Sequence, residues 1–156
     1  MDGTALATLG AALAAVLAGI GSAIGVGLGG QASAGAVSEN PELSGSCLVL
    51  QLLPGTQGIY GLLIAFVMAS KAGLLGGGDV GVALSVAEGW HYIFAGLPIA
   101  LGGLLSAIYQ GKVAVSAINM LTKKPDQAGK GILMAIMVET YAVLSLLISF
   151  LLVNGI

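Results

Sequence analysis

Arginine is missing altogether from the 156 residues, and lysine supplies all five basic side chains against seven acids, for a formal net charge of −2. A nucleic-acid partner needs a basic face that neutralises phosphates, and five lysines without any arginine cannot build one. Charge of either sign is scarce. Only 8% of the residues are charged, where a soluble domain carries roughly 25%. That is too little polar side chain to cover the surface of a water-soluble globule. A single cysteine, Cys47, leaves no internal disulfide, so packing alone must hold the fold. No phosphate loop, Ser-His-Asp set or metal-spaced group of Cys and His occurs either.

What the chain has instead is apolar surface and glycine. Apolar residues make up 57%, glycine occurs 26 times, and the mean hydropathy is +1.03. Proline content and periodicity do not fit collagen or a disordered linker. The combination predicts membrane helices packed backbone to backbone. A span needs about 20 predominantly apolar residues, and residues 5–37, 43–70, 83–121 and 131–153 qualify. Short connections at 38–42, 71–79 and 122–127 make consecutive helices antiparallel. The fold class is therefore an all-α membrane protein of four transmembrane helices in two hairpins, residues 1–75 and 76–156. No positive region stands ahead of the first apolar run, where Asp2 is the only charged residue, so a cleaved signal peptide is not expected and this helix is expected to stay in the mature protein. Lys112, Lys123, Lys124 and Lys130 gather around the third connection. The positive-inside rule makes that connection cytoplasmic, and with it the first connection, with both termini outside.

The two hairpins are copies of one another. Shifting the chain by 84 residues lays Leu17, Gly19, Ser22, Ala23 and Ile24 on Leu101, Gly103, Ser106, Ala107 and Ile108. The same shift lays Pro41 on Pro125, Gly45 on Gly129, Thr56 on Thr140 and Leu62-Leu63-Ile64 on Leu146-Leu147-Ile148. The repeat is parallel, because each unit crosses the membrane twice. One difference stands out against this agreement: Glu139 of the second hairpin falls on Gly55 of the first.

Six of the seven acids lie at ends or in connections, where water accounts for them. Glu139 lies near the middle of the fourth span. A carboxylate at that depth costs at least about 2.5–3.5 kcal/mol, so it must be protonated, paired or bound to a cation. No lysine lies at matching depth. A neutral Glu kept for packing is one reading; an ion or proton site is the other. The second span supplies partners: Leu53, Thr56, Gln57 and Tyr60 form one helical stripe. Pro54 removes a backbone donor and crowds the carbonyl of Leu50, which frees carbonyl oxygens in that turn. Gln110 is a further amide in an apolar run. Singly, Thr56 could bond back to its own helix and Tyr60 could sit at an interface. Together with Glu139 they form a set of hard oxygen donors, richer than a proton site requires.

Other signals carry less. Gly25-Val26-Gly27-Leu28-Gly29-Gly30 matches G-x-G-x-x-G, but it lies inside an apolar helix with no strand before it. Close helix packing by Gly19, Gly21, Gly25, Gly27, Gly29 and Gly30 explains it, and predicts that this slim helix lines a crowded inner layer. His91, between Trp90 and Tyr92 near a helix start, reads as part of an interfacial aromatic belt.

Gln51-Leu52-Leu53-Pro54-Gly55-Thr56-Gln57-Gly58-Ile59-Tyr60-Gly61, Gln110-Gly111-Lys112 and Met137-Val138-Glu139-Thr140-Tyr141-Ala142 resemble the proteolipids of rotary V-type ATPases, nearest to the K, or c-type, subunits of bacterial sodium-pumping members. The resemblance spans essentially the whole chain. It implies a homo-oligomeric rotor ring in a bacterial plasma membrane, with soluble ATPase and central-stalk subunits hydrolysing ATP and a membrane stator subunit presenting an Arg. It also implies Na⁺ held by Glu139, Thr56, Gln57, Gln110 and the Leu53 carbonyl, with Tyr60 locking Glu139. Gly55 in place of a second acid implies one ion per four helices. Two alternatives stay open: a proton-carrying rotor subunit of the same fold, and a small oligomeric proton or cation channel without an ATPase partner.

Overall fold

The computed structural model describes residues 2–75 and 84–155. Four stretches among them are long and apolar enough to cross a membrane: Gly3–Glu39, Pro41–Lys71, Val86–Leu121 and Pro125–Asn154. The four spans therefore form as expected. Residue 83, the expected start of the third, and residues 76–79 of the middle connection lie outside the described residues. The boundary between the two hairpins at residues 75 and 76 meets the same edge.

α1 runs Gly3–Glu39 in one piece. At about 1.5 Å per residue its 37 residues rise about 55 Å, well beyond a hydrocarbon core of about 30 Å. Asp2 caps its start by accepting from the Ala5 amide. The second span is broken, as Pro54 requires: α2 covers Ser44–Leu52 and α3 covers Thr56–Lys71, with a tighter 3₁₀ turn at Leu53–Gly55 between them. α4 is Val86–Leu121, opened by a capping box of Ser85 and Glu88. α5 is Ala128–Asn154. Pro41 and Pro125, equivalent in the repeat, each open a 3₁₀ turn ahead of the following helix, where a missing N–H costs nothing.

α1 and α4 pack along most of their length because glycine lets their backbones meet. A Cβ on Gly21 would lie 2.5 Å from the Leu104 carbonyl oxygen, and one on Gly111 2.5 Å from the Gly25 Cα. The close-packing expectation for α1 thus holds at Gly21, Gly25 and Gly29. It fails at Gly19 and Gly27, where a Cβ would meet nothing in the chain. Tyr92 also departs from its expected place in the belt. Trp90 and Phe94 stack at 5.9 Å on the exposed side, but Tyr92 turns inward and is only 3% exposed. One residue along a helix rotates the side chain about 100°, so three successive residues cannot share a face.

The interior divides into two apolar clusters along the helix axes. One gathers Ala7, Ala11, Ala14, Ile64, Met68, Ile99 and Val153. The other gathers Leu43, Cys47, Leu50, Ala114, Ile118, Leu121 and Ala135. Between them lies a polar layer containing Gln57, Ser106 and Gln110, all buried. Beside the two prolines within spans, Pro54 and Pro98, a serine from another helix accepts a backbone amide. Beyond Pro54 the Gly58 amide donates to Ser22 Oγ at 2.7 Å, and beside Pro98 the Ile99 amide donates to Ser149 Oγ at 3.0 Å. Lys71 ends α3 by donating to the Val153 carbonyl of α5 at 2.9 Å, a cation at a helix C-terminus.

Candidate functional site

Glu139 stands near the middle of α5, half-buried, and reaches α3 across the polar layer. Its Oε1 accepts from Thr56 Oγ1 at 2.8 Å and from the Tyr60 hydroxyl at 2.7 Å. Its Oε2 takes a longer contact of 3.4 Å from Gln110 Nε2. The stripe expected on the second span is therefore real, and it faces the carboxylate. All six residues singled out in the sequence, Leu53, Thr56, Gln57, Tyr60, Gln110 and Glu139, meet in this one layer.

The break at Pro54 shapes the site. The 3₁₀ turn carries the Leu53 carbonyl to within 3.0 Å of Thr56 Oγ1, and Gln57 Oε1 lies 3.3 Å from the same hydroxyl. Leu53 O, Gln57 Oε1, Glu139 Oε1 and Thr56 Oγ1 thus crowd together. One Thr hydroxyl proton serves three acceptors. Tyr60 supplies one more proton, and only to the carboxylate. Lone pairs outnumber donors here, in a layer walled by apolar clusters, which is the arrangement a hard cation satisfies. The set offers one negative charge. Among the described residues no group of three or more His, Cys, Asp or Glu could hold a metal ion. A single carboxylate with neutral oxygens balances a monovalent cation, whereas Ca²⁺ and Mg²⁺ sites draw on more carboxylate or on phosphate.

Both amides are oriented by their neighbours. Gln110 Nε2 donates to the Ala135 carbonyl at 3.1 Å as well as to Glu139, which turns its oxygen toward Gln57. Gln57 Nε2 donates to that oxygen at 2.6 Å and to Ser106 Oγ at 3.2 Å, which turns Gln57 Oε1 toward Thr56. Gln110 accordingly faces Glu139 with its N–H; to offer oxygen to an ion its amide plane would have to rotate. Ser106, which also donates to the Val138 carbonyl at 3.0 Å, was not singled out in the sequence. A lone serine in an apolar helix carries no distinguishing signal; only the duplication, which keeps serine at positions 22 and 106, pointed to it. Every buried side-chain nitrogen and oxygen among the described residues has a partner. A groove of about 310 Å³ along α5 is lined by Ile136, Glu139, Thr140, Val143 and Leu144.

The chain matches the family of ATP synthase C subunits twice, over residues 9–68 and 93–152. The second match is displaced from the first by 84 residues, the shift found in the sequence. Among curated proteins it is 50% identical over 151 residues to the V-type sodium ATPase subunit K of Enterococcus hirae, covering 97% of this chain and 92% of that one. It is 39% identical over 127 residues to the A-type ATP synthase subunit K of Methanocaldococcus jannaschii, covering 80% of this chain and 53% of that longer one.

Proposed function

Because the chain belongs to the family of ATP synthase C subunits, as a four-helix, ring-forming and non-catalytic membrane protein, we propose that its ring carries Na⁺, one ion per chain, at Glu139. The observation that carries this reading is the excess of oxygen lone pairs over protons around Thr56. Glu139, Thr56, Gln57 and the Leu53 carbonyl supply the ligands, and Gln110 joins them through its amide. Tyr60 holds Glu139 toward α3 and closes the site. The name of the Enterococcus hirae relative, a sodium ATPase subunit, supports the same ion. The two chain halves, 1–75 and 76–156, act as one unit with a single site.

The mechanism is electrostatic. With Na⁺ bound, Glu139 is neutralised and its helix face can pass through lipid. Release leaves a carboxylate whose cost at membrane depth is at least about 2.5–3.5 kcal/mol, and an Arg on a membrane stator subunit offsets that cost. The stator contact falls on the α5 groove beside Glu139, the side from which the ion enters and leaves. Soluble ATPase subunits turn the ring through a central stalk seated on the connections at 38–42 and 122–127. Those connections face the cytoplasm of a bacterial plasma membrane, and the termini face outward. The test is carbodiimide labelling of Glu139 at fixed pH. Na⁺ is expected to slow it and K⁺ is not; equal labelling with and without Na⁺ would instead support the proton reading.

A further inference from the structure

The side chains of Gln57 and Gln110 bring four amide hydrogens into the polar layer, and all four are committed within the protein. Gln110 Nε2 gives its pair to the Ala135 carbonyl and to Glu139 Oε2. Gln57 Nε2 gives its pair to Gln110 Oε1 and to Ser106 Oγ. A primary amide carries two N–H donors on one side and one oxygen on the other, so fixing its hydrogens decides where the oxygen points. For Gln57 that oxygen points to Thr56, beside the Leu53 carbonyl.

Both amides take their direction from the backbone of α5. Gln110 does so directly, at the Ala135 carbonyl. Gln57 does so through Ser106, whose hydroxyl donates to the Val138 carbonyl at 3.0 Å. A hydroxyl has one proton. With that proton on Val138, Ser106 Oγ can only accept, so it takes a hydrogen from Gln57 at 3.2 Å and has none to offer Gln57 Oε1. A carbonyl cannot donate in return. The line from Gln57 through Ser106 to Val138 therefore runs one way only. Ser106 and Gln110 stand four residues apart on α4, both buried on the face toward this layer. The repeat mate Ser22 serves a backbone group instead, accepting the Gly58 amide at 2.7 Å.

We propose that Ser106 is the positioning residue that makes Gln57 a cation ligand, and through Gln57 sets the preference of the site for Na⁺. Without the serine oxygen one buried Gln57 hydrogen has no acceptor. The amide recovers that bond by turning the hydrogen toward the Leu53 carbonyl and Glu139. A donor then stands where a ligand stood, and the lone pairs around Thr56 are satisfied without a cation.

The proposal rests on Na⁺ binding at Glu139, and the experiment separates the two. The Na⁺ concentration that half-protects Glu139 from carbodiimide is measured at fixed pH in native membranes, together with the unfolding midpoint in detergent. Ser106→Ala is expected to raise the half-protecting concentration about 10-fold. Ser106→Cys, which keeps the volume but is a weak acceptor, is expected to move it the same way, and carries the measurement if Ser106→Ala fails to fold. Ser106→Thr keeps the hydroxyl and is expected to restore protection. Ser149→Ala removes another buried serine that accepts a backbone amide, about 15 Å from Glu139 along α5. It is expected to lower the midpoint and leave Na⁺ protection unchanged. Unaltered protection in Ser106→Ala or Ser106→Cys, or an equal loss in Ser106→Thr or Ser149→Ala, would overturn the positioning role and leave the Na⁺ site standing. No protection by Na⁺ in the unmodified chain would overturn the Na⁺ site and this role with it.

Discussion

Glu139 is held by two hydroxyls of unequal duty. Thr56 is shared among three acceptors, while the Tyr60 hydroxyl serves the carboxylate alone at 2.7 Å. Removing a hydrogen bond to a charged group costs about 1.5–3 kcal/mol. Tyr60→Phe should therefore weaken Na⁺ retention about 10- to 100-fold while leaving the ring intact, measured as the Na⁺ concentration that half-protects Glu139 from carbodiimide. Glu139→Gln should assemble but transport nothing, read as ATP-driven Na⁺ uptake into vesicles. Normal uptake by that variant would remove the carboxylate from the mechanism. At this scale the sequence was informative, because a carboxylate and two amides at membrane depth have no ordinary explanation. It could not show how the amides turn. Gln110 meets Glu139 with its N–H because the Ala135 carbonyl takes the other hydrogen, and a backbone oxygen on another helix leaves no trace in residue order. Ser106 was not singled out because, its repeat mate Ser22 aside, a lone serine in an apolar helix carries no distinguishing signal.

The helices depend on close backbone contact and on repairs at proline. Gly25 sits where a Cβ would collide with the Ala107 carbonyl and with Pro54, so Gly25→Val should separate α1 from α4 and prevent stable folding, seen as loss of protein from the membrane fraction. Gly19→Ala, placed where a Cβ meets nothing in the chain, should leave the protein folded. Ser149 is buried and accepts the Ile99 amide beside Pro98. Ser149→Ala should cost about 0.6–1.7 kcal/mol, measured as a lowered unfolding midpoint in detergent. Span number and order were readable from hydropathy because the bilayer demands long apolar runs. The interruption at Leu53–Gly55 followed from Pro54, although the serine that answers it did not. Tyr92 was misplaced because neighbouring aromatics look alike in sequence while the helix turns them to different faces.

The duplicated hairpin leaves the whole molecule with one acid at membrane depth rather than two, Glu139 against Gly55. Two copies of one frame retain the same Thr-to-carbonyl bond, but only the second has the acid, so each chain contributes four helices and a single charge to the ring. On the proposed reading, one ion per four helices trades flux for a steeper attainable gradient. Sequence shift and family match give the same displacement, so this level of organisation was legible throughout. The most direct test of the account is equilibrium binding of Na⁺ to purified rings. The prediction is one Na⁺ per chain, undisturbed by K⁺ and lost in Glu139→Gln. No saturable Na⁺ binding, or two ions per chain, would contradict it.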